Sequence, residues 1–164
     1  MTSPNGPTLY PPSNDVFVSF ARPFRGEADQ IYAPLKTKYK CFMLYRDAPL
    51  ELGWGSKILG TLKRSRVMLL LFSNSIEDSD WVRFEITIGL SYQVPILVIA
   101  LDGPPSPSAS RLMLSEQTWM DASSRPFEAV LPEILSAVQK RVEEAHATEN
   151  NNRTAGDRSK KTGK

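Results

Sequence analysis

The sequence predicts an α/β fold in which a parallel sheet is covered by helices on both faces. Two observations predict it. Short apolar segments alternate along the chain with segments of helical length, a pattern typical of right-handed β-α-β units. In addition, residues 67–72 are apolar without interruption, as expected for a parallel strand buried on both faces. The length of 164 residues and the 41% hydrophobic content suit one domain with tails.

The first half of the chain is predicted to contain two strands and two helices. Residues 1–13 include four prolines and are predicted to form a flexible leader. The elements that follow are a strand at 14–20, a helix at 27–39, a strand at 41–46 and a short helix at 56–64. Pro34 is expected to kink or shorten the first of these helices, because proline lacks the amide hydrogen that a helix interior requires.

The second half is predicted to continue the same alternation. Its elements are strands at 67–72, 95–101 and 117–120, with helices at 80–93 and 126–144. Pro95 stands at the start of a strand, where its missing amide hydrogen removes no ladder bond. Residues 102–110 contain three prolines and are predicted to form an extended loop in place of a regular helix. Residues 148–164 are predicted to form a disordered, basic tail after a domain at 14–147.

Five strands in this arrangement suggest a flavodoxin-like, doubly wound sheet with the order 2-1-3-4-5. Ligands of such sheets bind beyond the carboxyl ends of the strands, at the point where the strand order reverses. Here that point lies between the first and third strands. We therefore expect the loops at 20–26 and 73–79, and the first turns of the helix from residue 80, to surround one crevice.

Glu85 is the most informative residue on that helix. Residues advance by about 100° around a helix, so the large apolar side chains from Trp81 onward share one broad arc, and Glu85 falls near its middle. A buried, unpaired carboxylate costs several kcal/mol or more. Glu85 is therefore expected either to bond backbone amides or an arginine at the rim of the core, or to face a ligand.

Composition excludes several classes of function. The tail from Glu149 carries a net charge of +3 and leaves −1 for the rest, so the folded part has no basic excess for binding nucleic acid. Cys41 is the only cysteine, which excludes a disulfide framework and a thiol metal site. His146 is the only histidine, which excludes a histidine triad and argues against a zinc site. The apolar run at 94–101 is too short to span a membrane, and no signal peptide is recognisable. We expect a cytoplasmic protein that binds no membrane and no metal.

Two phosphate-binding motifs are also missing. No Gly-x-Gly-x-x-Gly sequence follows the first strand, and no Gly-x-x-x-x-Gly-Lys-Ser/Thr sequence occurs. A receiver domain would carry a phosphorylatable aspartate after the third strand, where Ser73 and Asn74 stand instead. A ligand in the crevice must therefore be bound without a glycine-rich phosphate loop or a phosphorylatable aspartate.

Five sequence boxes resemble those of a Toll/interleukin-1 receptor (TIR) domain, in order and spacing. They are Asn14 to Phe20, Arg46 to Gly53, Leu62 to Arg66, Leu71 to Ser73, and Trp81-x-x-x-Glu85. The resemblance covers residues 14 to about 101. The chain is more similar to bacterial TIR proteins than to animal receptors. It implies the TIR version of the doubly wound sheet.

The resemblance also implies an enzyme activity. Enzymatic TIR domains cleave NAD between nicotinamide and ribose, and their essential glutamate matches Glu85. A carboxylate there would stabilise the positive charge that develops on the ribose. The resemblance therefore implies that NAD is the substrate and that no cofactor is required. The side chains that the resemblance places around the substrate are Ser19, Phe20, Arg22, Trp54, Ser73 and Trp81.

Several of these residues have a second interpretation. Arg22 either binds the pyrophosphate or is a solvated loop charge. Trp54 either stacks on a base or ring of the substrate or makes an assembly contact. The assembly contact is an alternative because the 47–55 loop mediates TIR–TIR contacts in the family. Trp81 is favoured as a core packing residue over a substrate contact. Ser73 is expected to bond the ribose.

A non-enzymatic alternative is compatible with the same resemblance. TIR domains also act as scaffolds or effectors through TIR–TIR self-association. Pro34 and the proline-rich loop at 102–110 depart from the family pattern. The presence of Glu85 favours the enzyme, because adaptor-type TIR domains often lack a carboxylate at this position.

Overall fold

The computed structural model describes residues 12–44, 53–103 and 107–161, without the side chains of Trp54 and of 156–161. The strands are β1 (Asn14–Phe20), β2 (Cys41–Met43), β3 (Ser65–Phe72), β4 (Ile96–Ala100) and β5 (Thr118–Asp121). The α-helices described are α1 (Arg25–Leu35), α2 (Trp54–Leu62), α3 (Asp80–Ser91), α4 (Ala109–Met113) and α5 (Phe127–Lys161). Short 3-10 turns lie at Arg22–Phe24 and Asn74–Asp78.

The strands form one sheet with the order β2-β1-β3-β4-β5, and every pairing is parallel. Phe20 pairs with Leu71, which in turn pairs with Ile99, so the carboxyl ends of the three central strands meet at one edge. This arrangement confirms the predicted fold class and strand order. It also confirms that the order reverses between β1 and β3.

Alternation along the strands divides the core into two layers. Val16 and Val18 of β1 pack with Leu69 of β3 in a cluster that includes α1 and α5. Phe17 and Met68 pack on the other face, in a cluster that includes α2 and α3. Successive side chains of a strand point to opposite faces, which explains why β4 and residues 67–72 of β3 are apolar without interruption.

Helix α1 begins earlier and ends earlier than the 27–39 segment that the sequence predicts. It ends at Leu35, one residue after Pro34, and the Thr37 hydroxyl donates a hydrogen bond to the carbonyl of Pro34 at 2.7 Å. Pro34 lies in the last turn of this helix, which stops short of the predicted residue 39. The second strand, predicted at 41–46, ends at Met43, and residues 45 and 46 lie outside the described residues.

The structure differs from the sequence prediction at two further helices. Helix α4 follows the proline-rich segment, where only an extended loop is predicted, and the Ser108 hydroxyl caps it by accepting a bond from the Arg111 amide at 3.1 Å. Helix α5 continues to Lys161, so residues 148–161 are helical where the sequence predicts a disordered tail. No proline follows Pro132 to end this helix, and Arg66 holds Glu149 against the sheet. The predicted leader lies outside the described residues for 1–11.

Candidate functional site

The candidate site lies at the carboxyl ends of β1 and β3, where α3 begins. Ser79 caps α3, because its hydroxyl accepts a hydrogen bond from the amide of Val82 at 3.4 Å. The preceding 3-10 turn is held by Asp102, whose carboxylate oxygens accept bonds from the Asn74 amide at 3.0 and 3.2 Å. A negative side chain at the start of such a turn satisfies amides that lack a partner in the turn.

Glu85 lies on the buried face of α3, with only 4% of its surface exposed. Val82, Ile86 and Gly89 lie on the same face, as the helical spacing requires. The Ser19 hydroxyl, near the end of β1, donates a hydrogen bond to Oε2 of Glu85. Both side chains are buried, so the structure confirms that this carboxylate points inward.

Burial raises the pKa of Glu85 from 4.5 to about 7. The cause is desolvation, which disfavours the charged form, while the bond from Ser19 acts in the opposite direction. Among the described residues, no cation forms an ion pair with this carboxylate. The site therefore holds an acid that is close to half ionised at neutral pH and has no structural counter-charge in the described ranges.

Trp81 and Phe84 are more exposed than the sequence predicts. Their exposed fractions are 47% and 41%, and their rings make an edge contact with centroids 6.4 Å apart. The sheet covers a narrower stripe of α3 than the broad apolar arc suggests, which leaves both rings outside it. The interpretation of Trp81 as a core packing residue is wrong, and its ring lies one helical turn before Glu85 at the surface.

The other predicted site residues are distributed unevenly. Phe20 is buried in the cluster shared with α1 and α5, on the face of the sheet opposite to Ser19, and Arg22 is exposed in the 3-10 turn after β1. Ser73 follows β3 and is fully buried. Its hydroxyl oxygen is the one buried side-chain polar atom without a partner among the described residues. The side chain of Trp54 and residues 45–52 lie outside the described residues.

A carboxylate contact between two loops is a feature that the sequence did not reveal. Glu77 of the 3-10 turn accepts a bond from the Ser110 amide at 3.2 Å, and hydrogen bonds from Ser110 and Ser108 lower the pKa of its carboxyl group. Asp102 makes the reciprocal contact from the loop after β4. No local sequence pattern indicates this contact, because Glu77 and Ser110 are 33 residues apart. The helix that contains Ser110 is also too short to show periodicity.

Two grooves lie beside α4, with volumes of about 930 and 390 Å³. The larger is lined by Arg111, Leu112 and Trp119, and the smaller by residues of α3 and α4 that include Phe84 and Met113. Glu85 lines neither groove. The carboxylate and these grooves are therefore separate features of this surface.

The described ranges lack two further features, a helix that could span a membrane and a cluster of metal ligands. No helix there is long and apolar enough to cross a membrane. No group of three or more histidine, cysteine, aspartate or glutamate side chains there could hold a metal ion.

Comparisons with known proteins identify the family. A family model described as a TIR domain matches residues 16–135. Among solved structures, the chain is similar to the TIR domain of the Toll-related receptor TRR-2 from the lower metazoan Hydra magnipapillata, with 18% identity and a TM-score of 0.64 over 80% of this chain and 99% of that chain. It is also similar to the TIR domains of the activated Roq1 resistosome, with 19% identity and a TM-score of 0.50 over 84% of each chain.

These identities are low, so the solved structures show a shared fold alone. No curated protein matches the sequence significantly. The family model covers most of the chain and the sheet has the order found above. The chain therefore belongs to the TIR-domain family.

Proposed function

We propose that this protein is an NAD glycohydrolase in which Glu85 is the catalytic residue. The observation that carries the proposal is a fully buried carboxylate at the carboxyl edge of the sheet, bonded to Ser19 and lacking a cationic partner in the described ranges. Keeping such a group buried costs stability, and perturbed carboxylates of this kind cluster at functional sites. The Trp-x-x-x-Glu resemblance supports the same residue.

The proposed reaction breaks the bond between C1′ of the ribose and the nicotinamide nitrogen. The bonding electrons go to the ring nitrogen, which becomes neutral, and the ribose develops oxocarbenium character. A carboxylate in a site shielded from water stabilises this charge far better than water does. Water then forms the new bond to C1′ and loses its proton, which gives nicotinamide and ADP-ribose. An internal nucleophile of the ADP-ribose would instead give a cyclic product.

Other side chains have supporting roles in this proposal. Arg22 is assigned to the pyrophosphate, whereas the Ser73 hydroxyl, fully buried on the face of the sheet opposite to Ser19, is assigned no substrate contact. The exposed ring of Trp81 supports a stacking contact with a base or the nicotinamide. Trp54 keeps the role that the resemblance implies, whereas Phe20, buried on the face of the sheet opposite to Ser19, is assigned none. The reaction needs NAD as substrate and no additional cofactor.

We further propose that the domain acts in the cytoplasm, in bacterial defence or virulence signalling, and that it self-associates. Catalytic TIR sites are commonly completed by a neighbouring subunit, so activity is expected to rise with protein concentration. The 47–55 loop is the proposed contact.

A scaffold without enzyme activity is the second candidate. The observation that favours it is a group of exposed apolar side chains on α3 and α4, namely Trp81, Phe84, Leu112 and Met113. Apolar groups exposed together are typical of surfaces that bind other proteins. A scaffold would self-associate without releasing nicotinamide.

The decisive test compares the wild type with Glu85→Gln. The purified proteins are incubated with NAD over a range of protein concentrations, and nicotinamide is measured by chromatography. We expect the substitution to slow release by at least about 100-fold, as loss of a charge-stabilising group does, while circular dichroism shows an unchanged fold. Glutamine keeps the shape of the side chain and can still accept the bond from Ser19.

Glu133→Gln is the matched control, because Glu133 is an exposed glutamate of α5 that pairs with Arg125. It should cleave NAD at the wild-type rate. Equal release by the wild type and Glu85→Gln would reject the enzyme proposal. Self-association without release at any concentration would favour the scaffold.

A further inference from the structure

The bond between Ser19 and Glu85 joins two elements that are far apart in the sequence. Ser19 lies at the carboxyl end of β1, and Glu85 lies 66 residues later in α3. Both are buried, with exposed fractions of 1% and 4%. A hydrogen bond in such a shielded place is stronger than one in water and is costly to leave unmade.

Resting on the proposed function, we infer that Ser19 is a positioning residue that acts through Glu85 and does not contact the substrate. Its hydroxyl holds Oε2 of the carboxylate, which leaves Oε1 as the oxygen that meets the ribose. This assignment replaces the substrate-binding role that the family resemblance implies for Ser19.

The two carboxylate oxygens have different surroundings. The Ser19 hydroxyl donates to Oε2, whereas no hydrogen bond reaches Oε1 from any residue in the described ranges. A glutamate side chain has three rotatable bonds, and one fixed oxygen removes most of that freedom before a ligand arrives. Fixing a catalytic group in advance lowers the entropy cost of reaching the transition state.

The same bond favours the ionised form of the carboxyl group. Desolvation raises the pKa of Glu85, and the bond from Ser19 opposes that rise. Only the carboxylate can stabilise a cationic ribose. Without the hydroxyl, a smaller fraction of the protein would carry the charge at neutral pH.

Ser73 does not share this role, although it lies at the end of the neighbouring strand. Its backbone is extended, so alternation from Leu69 and Leu71 places its side chain on the face of the sheet that carries α1 and α5. Ser19 shares its face with Phe17, whose cluster includes α3. Of these two serines, only Ser19 can hold Glu85 from its strand.

The first experiment needs no enzyme activity. The pKa of Glu85 is measured by carbon-13 NMR titration of the labelled side chain, in the wild type and in Ser19→Ala. We expect it to rise by about one pH unit in the variant, the order of effect of one hydrogen bond to a charged group. Ser65→Ala is the control, because Ser65 is buried and loses a comparable bond, to the Thr61 carbonyl at 2.9 Å, at the opposite end of β3. An unmoved titration in Ser19→Ala would overturn the inference.

The second experiment measures kcat/KM for NAD between pH 6 and 9. A rise in pKa from about 7 to about 8 makes the deficit of Ser19→Ala about fivefold larger at pH 7 than at pH 9. Ser19→Thr keeps the hydroxyl and should restore the wild-type profile, and Ser65→Ala should not alter it. A deficit that is the same at every pH, or one confined to KM, would indicate a substrate contact and reject the positioning role. If the titration moves but the wild type does not cleave NAD, Ser19 still holds Glu85 and the proposed function alone fails.

Discussion

Glu85 shows how a single residue can be costly for folding and useful for chemistry. Its carboxyl group is buried on the face of α3 that also carries Val82 and Ile86, and the described ranges offer it one hydrogen-bond donor, Ser19. The folded protein therefore prefers the neutral form and holds its proton to about pH 7. The unfolded chain releases that proton near its ordinary pKa of 4.5.

This difference predicts how stability depends on pH. Between about pH 4.5 and 7 the folded state binds more protons at Glu85 than the unfolded state, so this residue lowers the free energy of unfolding as pH rises. This loss of stability is complete above about pH 7 and amounts to roughly 3 kcal/mol in the free energy of unfolding. Glu85→Gln has no proton to lose. Chemical denaturation from pH 4.5 to 7.5 should show the variant gaining stability relative to the wild type by this amount.

The quantity to compare is the difference in the free energy of unfolding between the wild type and Glu85→Gln, because the other carboxyl groups titrate equally in both proteins. Glu77, for example, has a lowered pKa and contributes the opposite trend. A constant difference across the pH range would contradict the assignment of a raised pKa to Glu85.

The sequence predicted the position of Glu85 but not the exposure of its neighbours. The spacing of α3 places Glu85 on the same face as Val82 and Gly89, and the structure confirms it. Trp81 and Phe84 were placed on the same arc because they are apolar, yet the sheet covers only one side of the helix. Hydrophobicity marks side chains that can be buried, and topology decides which of them are.

At the scale of elements, α3 approaches the sheet closely at Gly89. A Cβ atom at this position would lie 3.0 Å from Sδ of Met68 in β3 and 3.3 Å from Cδ1 of Ile96 in β4. The absence of a side chain lets the helix backbone lie against these two strands. Glu85, one turn earlier, takes its depth from this contact.

Gly89→Ala should therefore destabilise the protein. The methyl group needs space that the packed side chains do not leave, and such overpacking typically costs about 1–3 kcal/mol. The measurement is the free energy of unfolding, together with the Glu85 titration, because a helix displaced from the sheet would expose the carboxyl group and lower its pKa.

Gly60→Ala in α2 is the matched control. No atom lies within 4 Å of a Cβ atom built there, so alanine should stabilise that helix by roughly 0.5–1 kcal/mol. Equal effects at the two glycines would contradict the close packing at Gly89.

Most elements could be predicted from the sequence because their patterns are long. The alternation of apolar segments gave the sheet and its order, which the structure confirms. Helix α4 was missed because five residues contain little more than one turn, and its start depends on the distant Glu77. The end of α5 was missed because Glu149 is held by Arg66, a contact across 83 residues that no local pattern records.

At the scale of the whole molecule, charged side chains join the last helix to the amino edge of the sheet. Arg66 of β3 bonds both carboxylate oxygens of Glu149 at 2.8 and 2.9 Å and also bonds Asp15 of β1 at 2.9 Å. His146 approaches Asp15 at 3.3 Å. Arg66, Asp15 and Glu149 are each less than one fifth exposed, so these bonds are stronger than ordinary surface ion pairs.

Truncation tests this contact and the proposed domain boundary at residue 147. A chain that ends at residue 152 keeps Glu149, whereas one that ends at 147 loses it and leaves Arg66 with Asp15 alone. Both should fold, and the shorter chain should be less stable by about 1–3 kcal/mol, the range for hydrogen bonds to charged groups. Thermal and denaturant unfolding would measure the difference.

Glu149→Gln in the full-length chain should reproduce much of that loss. It removes the charge while leaving the helix intact. Two truncated proteins of equal stability would show that the ion pair contributes nothing to the domain.

The Arg66 contact has a practical consequence for anyone attaching probes to this molecule. Helix α5 runs back from the edge that carries Glu85 to the edge where β1 starts, so the first strand and the last helix leave the fold together. A fluorophore attached at the start of β1 or beside Glu149 would stand a full strand length away from the carboxylate. Labels there could report on self-association without covering the surface around Glu85.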